Sequence, residues 1–176
     1  VVFFDVVSRF FSYIGYKVKY VSNFTDIDDK IINRAIEENT TEEEVAQKYI
    51  QAFLDLRARL NCVPNYQNPR VTENMNEIIS FINLLVEKEG AYVSNGDVYF
   101  SVDKVSNYGA LSGQSIDNLM TNASLLHNDR KKSPIDFSLW KQTSIGRKWE
   151  SPWSKGRPGW HTECVVMIDE IFGGKI

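Results

Sequence analysis

The stretch "AYVSNGDVYFSV", residues 91–102, constrains the fold more than any other part of the chain. Two runs of β-branched and aromatic residues flank Asn95-Gly96, the pair that accepts positive φ at both central positions of a type I′ turn. The spacing therefore predicts a β-hairpin. What surrounds it is helical. "ENMNEIISFINLLVEKE" precedes it, with Thr72 as the expected cap and Gly90 as the stop, and "HTECVVMIDEIFG" near the end reads as a short helix.

Further upstream, Val2, Phe3, Val6, Val7, Phe10, Phe11 and Ile14 recur at three and four, which predicts a helix with one broad buried face ending at Gly15. Val18, Tyr20 and Ser22 then alternate with Lys17, Lys19 and Val21 as in a short strand. "TDIDDKIINRAIEEN" turns helical, its first turn crowded with carboxylates that offset exposed N–H groups. Thr41 and Glu44 form a capping-box signature before a long amphipathic helix over 42–61. Helix, strand, helix in this order points to part of a parallel α/β sheet, and a hairpin set between such segments is most simply an insertion into a doubly wound domain. Residues 103–160 are turn-rich and read as irregular structure with short elements. The apolar opening "VVFFDVVSRFF" and the apolar close "IFGGKI" suggest a piece of something larger.

Charge and cysteine content narrow the function classes. A formal net charge of -3 gives no global attraction to nucleic acid, so such a role would have to come from local charge. Cys62 and Cys164 cannot form a disulfide framework, no apolar run reaches the roughly 18–20 residues of a membrane span, and nothing at the start resembles an export signal. A reducing cytoplasm, without membrane attachment, is the expected setting.

Four constellations could carry chemistry. All four tryptophans (Trp140, Trp149, Trp153, Trp160) fall within twenty-one residues, and residues 130–157 hold eight basic side chains against two acidic ones. Cations interleaved with aromatics can hold phosphates and stack bases, although core packing and a solvated face account for the same residues. Asp26, Asp28 and Asp29 could bind Mg²⁺ only if they converged, and positions one or two apart on a helix diverge, which favours capping. Thr25 sits at the carboxyl end of the expected strand, where open α/β sheets bind ligands, or else it caps the next helix. His161 and Cys164, three apart, are zinc-competent on one helix face. Two ligands do not make a zinc site, however, and by residue type alone Cys164 reads as a small buried hydrophobe. Cys62 and His127 lie in unrelated surroundings and receive no role.

Taken together, "YVSNFTDIDDKI", "NGDVYFSV", "YGALSG", "SPIDFSLWK" and above all "SPWSKGRPGWHTEC" resemble, in order and nearly end to end, the cysteinyl-tRNA synthetases of the class I aminoacyl-tRNA synthetases. The resemblance implies a Rossmann-like, doubly wound α/β catalytic domain (residues 1–64 and 155–176) split by a connective-peptide insertion (65–154) that contains the hairpin. It implies a parent enzyme that joins cysteine to ATP, giving cysteinyl-adenylate and pyrophosphate, and then passes the cysteinyl group to tRNA(Cys); ATP acts with Mg²⁺ and the parent is a monomer. By the same resemblance Cys164 is one of four ligands of a Zn²⁺ that selects thiol over hydroxyl. Trp160 packs on the substrate, Thr25 lines its pocket, and His161 is adjacent without being a ligand. The other zinc ligands and both ATP signatures are expected outside these residues, so the segment should contain no catalytic residue and be inactive alone. The cysteine ligases of mycothiol biosynthesis share Gly-Trp-His-x-Glu-Cys, but their Asp-Asp is typically followed by Pro where this chain has Lys30. A non-catalytic nucleic-acid-binding module is the reading from a different class.

Overall fold

The computed structural model describes residues 1–123 and 130–174, which form two compact units, Val1–Asn74 and Met75–Ile176.

The first unit is built on three helices, α1 (Val2–Tyr13), α2 (Asp29–Glu38) and α3 (Glu42–Arg59). The capping box at α3 forms as its sequence predicts: the Glu44 N–H donates to Thr41 Oγ1 at 3.2 Å and the Thr41 N–H to Glu44 Oε2 at 3.1 Å. α2 packs on α3, burying Ile32 and Ala35 of one and Val45, Ala46 and Ile50 of the other. Residues 20–24 run extended beside residues 66–71. Their parallel pairing takes the form of isolated bridges, Val21 with Gln67 and Phe24 with Arg70, the Phe24 N–H donating to the Pro69 carbonyl at 2.9 Å.

Two expectations change here. α1 buries Asp5, while Val2, Phe3, Phe4, Val6, Phe10 and Phe11 stay 43–70 % exposed. The reason is polar: Asp5 accepts from Arg9 Nε and from the Val63 N–H, both at 2.7 Å, so a carboxylate clip and not the apolar stripe seats the helix. Thr72 does not cap a helix either. It lies in a short 3-10 turn, Val71–Glu73, where its N–H and hydroxyl donate to the buried Asp26 at 3.0 and 2.6 Å.

The second unit carries α4 (Met75–Glu87), β1 (Ala91–Ser94), β2 (Asp97–Phe100), α5 (Ile116–Ala123), β3 (Phe137–Gln142), β4 (Gly156–Pro158) and α6 (Trp160–Phe172). The hairpin forms as expected, with Asn95 at φ +50° and Gly96 at +83°. Two further strands emerge from the stretch read as irregular, giving an antiparallel sheet of order β1-β2-β3-β4. Trp140, Val98, Ile78 and Ile82 are fully buried, and Val166 and Met167 of α6 complete that core. Helices together with this sheet make the architecture mixed α/β.

α4 ends in a Schellman motif whose left-handed position is Glu89 (φ +58°), one residue before the expected Gly90; the Gly90 N–H reaches Leu85 O at 2.9 Å and the Glu89 N–H Val86 O at 3.0 Å.

Two tests follow from these contacts. Glu89→Gly relieves the left-handed cost of a side chain and should stabilise the protein by about 1 kcal/mol in urea unfolding. The Arg9 guanidinium, and then the Val63 N–H, hold the Asp5 carboxyl below the usual carboxylate range. A depressed folded value contributes stability above the unfolded value, roughly 3.9, that is lost as pH falls through the folded one. The stability gap between the wild type and Asp5→Asn should therefore be full at neutral pH and close progressively below about pH 4.

Candidate functional site

"GRPGWHTEC" is the junction of β4 and α6, and its glycines are there for proximity. Gly156 and Gly159 lie against the β3 backbone: a Cβ on Gly159 would overlap the Ser138 carbonyl oxygen, and one on Gly156 would overlap the Lys141 carbonyl and sit 2.6 Å from Trp140 Nε1. The Gly159 N–H donates to Leu139 O at 2.7 Å, pinning the first residue before α6 to β3. The helix then starts at once, so the backbone placement of Trp160 follows from that of the strand.

Along α6, Thr162, Glu163, Val166 and Met167 turn into the core. Trp160 is 70 % exposed, and Cys164, one turn on, is exposed on the same face. The expectation from residue type that Cys164 is a buried hydrophobe thus gives way, because the helix commits its other face to packing. Burial of the thiol itself, and then the neighbouring Glu163 charge, push its pKa above the ordinary cysteine value. His161 lies between rings, 5.0 Å from Phe137 and 5.4 Å from Trp160.

Trp160 and His161 border a cleft of about 440 Å³ that also receives Arg130, Lys131 and Lys141. Among the described residues lining it the carboxylate is Asp97, 7 % exposed, which accepts from Arg130 Nη1 at 2.9 Å, the Gln142 N–H at 2.8 Å and the Tyr99 hydroxyl at 3.0 Å. A second buried carboxylate, Asp136, accepts from the Val102 N–H at 3.0 Å, the Ser133 N–H at 3.1 Å and the Tyr92 hydroxyl at 2.7 Å. Burial, with Asp136 adding to it, holds the Tyr92 phenol well above the usual tyrosine range, so the phenol keeps the proton it donates. Neither aspartate was singled out from the sequence. The available signal was their position inside the strings "NGDVYF" and "SPIDF", each just before a strand-like run.

Thr25 belongs to the first unit. Half-buried, it lines a cavity of about 480 Å³ together with Ser22, Asn23, Phe24, Tyr49 and Phe53. The three nearby aspartates part company: Asp28 caps α2, accepting from the Ile31 N–H at 2.8 Å, Asp29 lies in the first helical turn, and Asp26 holds Thr72. Among the described residues no three His, Cys, Asp or Glu side chains converge as a metal site. A zinc ion is therefore not fitted by these residues alone; what they offer is Cys164, an exposed residue on the outward face of α6 whose thiol is partly desolvated. Cys62 is half-buried, and His127 lies outside the described residues.

The tryptophans divide by role. Trp140 is fully buried with Trp153 edge-on at 5.9 Å, Trp149 lies under the Arg147 guanidinium at 5.0 Å, and Trp160 faces out. The packing reading holds for the first two and fails for the last. A direct test of the close strand approach is Gly159→Ala, which should destabilise the protein by about 1–3 kcal/mol in urea unfolding, the usual cost of forcing a methyl into filled space.

The sequence profile of the tRNA synthetases class I (C) catalytic domain matches residues 1–176. Among curated proteins, a cysteine–tRNA ligase of Streptococcus thermophilus (strain CNRZ 1066) is 49% identical over 177 residues, and one of Streptococcus pneumoniae serotype 4 is 51% identical over 177. That of Limosilactobacillus fermentum is 51% identical over 178 residues. Each match takes in 98% of this chain and 38–40% of the relative, so the chain spans about two fifths of their length. With a mixed α/β fold, a glycine-pinned strand-to-helix junction and a family match over its whole length, the chain belongs to the class I (C) tRNA synthetase catalytic domain family.

Proposed function

We propose that residues 1–176 are part of the catalytic region of a cysteine–tRNA ligase, with residues 1–64 and 155–176 in the Rossmann-like catalytic domain and 65–154 in a connective-peptide insertion. The observation that carries the reading is the shared outward face of Trp160 and Cys164 on α6, in a chain about half identical to cysteine–tRNA ligases. The whole protein would activate cysteine with ATP and Mg²⁺, then charge tRNA(Cys), working as a cytoplasmic monomer.

In this reading each residue has a limited task. Cys164 would contribute one sulfur to a Zn²⁺ whose other ligands would come from outside these residues. A bound zinc would favour a thiolate partner over a serine hydroxyl, which stays protonated and is a weak ligand. With its pKa raised, the Cys164 thiol keeps its proton at neutral pH until a cation is near. Trp160 would supply an apolar wall against the substrate, and Thr25 would line the amino-acid pocket. None of the three breaks or makes a bond, because adenylate formation depends on positioning the carboxylate and the α-phosphate and on stabilising charge. Phosphate-binding elements beyond these residues would supply that, and the segment by itself would be inactive.

Cys164→Ser in the full-length protein tests this reading. Loss of an outer partner of a metal ligand already costs about 10–100-fold. Cysteine-dependent pyrophosphate exchange should accordingly fall by at least about 100-fold in kcat/KM, with loss of bound zinc by elemental analysis. Exchange and zinc content equal to wild type would overturn it.

A further inference from the structure

Phe24, Thr25 and Asp26 border the cavity of the first unit, and the residues on either side of Thr25 are each fastened to the segment 69–72. The Phe24 N–H donates to Pro69 O at 2.9 Å, and the Phe24 carbonyl accepts from the Val71 N–H at 3.3 Å. There the backbone pairing ends, because the partner segment turns away into the 3-10 turn Val71–Glu73. The Asp26 side chain takes over from the ladder: its Oδ1 accepts the Thr72 N–H at 3.0 Å and its Oδ2 the Thr72 hydroxyl at 2.6 Å. Thr25 is thus held between two fixed neighbours, and Asp28, capping α2 through the Ile31 N–H at 2.8 Å, fixes the chain just beyond. Although Asp26 borders the cavity, it is 7 % exposed and both its oxygens are engaged by Thr72, which suits it to holding the wall and not to contacting an occupant.

We infer that Asp26 is a positioning residue for substrate binding: through Thr72 it fixes the backbone of Thr25, and with it the wall that the amino acid meets. The inference rests on the reading of Thr25 as part of the amino-acid pocket. Removing the Thr72 hydroxyl leaves a buried carboxylate oxygen without its donor, and the cheapest relief is a movement of the Asp26 backbone, which Thr25 must follow.

The test uses the full-length protein and the pair Thr72→Val and Thr72→Ser, since valine keeps the shape without the donor and serine keeps the donor. In cysteine-dependent pyrophosphate exchange, Thr72→Val should raise KM for cysteine about tenfold while kcat and KM for ATP stay within about twofold, the pattern of lost ground-state binding. Thr72→Ser should restore the wild-type KM. In protein labelled at threonine methyls, the Thr25 signal, assigned by its absence in Thr25→Val, should move in Thr72→Val and return in Thr72→Ser. A fall in kcat with both KM values unchanged would overturn the inference, because that is what a merely structural role produces by lowering the active fraction. Thr72→Ser behaving like Thr72→Val would overturn it as well, by assigning the effect to the methyl group. So would a higher KM for cysteine in Asp26→Asn with both Thr72 variants at the wild-type value, which would make Asp26 a direct substrate contact. An unmoved Thr25 signal sinks the link to Thr72 whatever the activity. Should the wild-type protein show no cysteine-dependent exchange while that signal moves and returns as stated, the hold on Thr25 stands and the ligase reading fails.

Discussion

Strand β3 and the Gly156–Gly159 segment of β4 and its exit approach so closely that no side chain fits between them at two points, and the site depends on that contact. With Gly156 and Gly159 flush against the Lys141 and Ser138 carbonyls and the Gly159 N–H bonded to Leu139 O, the start of α6 has one available position. A helix rigidly begun there carries Trp160 outward and Cys164 one turn behind it, while Val166 and Met167 enter the core. Interiors packed to crystal-like density transmit such placement without slack, so a backbone contact in a strand sets the direction of an indole ring and a thiol.

The fold also places carboxylates where burial would ordinarily be costly, and it supplies donors to four buried aspartates. Asp5 joins α1 to the 60–63 segment, Asp26 receives Thr72, Asp97 gathers Arg130, Gln142 and Tyr99, and Asp136 gathers Tyr92, Val102 and Ser133. Each accepts from residues distant in sequence. A buried carboxylate without donors would cost several kcal/mol, roughly, so these groups act as registers that hold loops and strand ends in one arrangement. For Asp97 the result reaches the surface, because the arginine it holds forms part of the cationic cleft wall.

Legibility followed the range of the interaction. The hairpin at Asn95-Gly96, the Thr41–Glu44 capping box and the helix after "GRPG" are local, each decided within a few residues, and all were readable. Thr72 looked like a cap because a threonine before a helical run is one; its hydroxyl went instead to Asp26, forty-six positions away. The stripe on α1 looked like a buried face, yet among the described residues the helix is seated by Asp5. β3 was missed because its buried residues include the consecutive pair Leu139 and Trp140, which breaks the alternation expected of a strand with one covered face.

By itself the sequence determined the family, through long motifs in fixed order, and the local elements whose capping and turn chemistry is complete within a few residues. Tertiary structure alone decided which tryptophan stands outside, that Cys164 faces out, and that Asp97 turns its carboxylate inward to hold Arg130 where it lines a cleft with Lys131 and Lys141. The division has a physical cause: helix caps and turns are settled by neighbours along the chain, whereas exposure and charge neutralisation depend on partners that only folding brings within hydrogen-bonding distance.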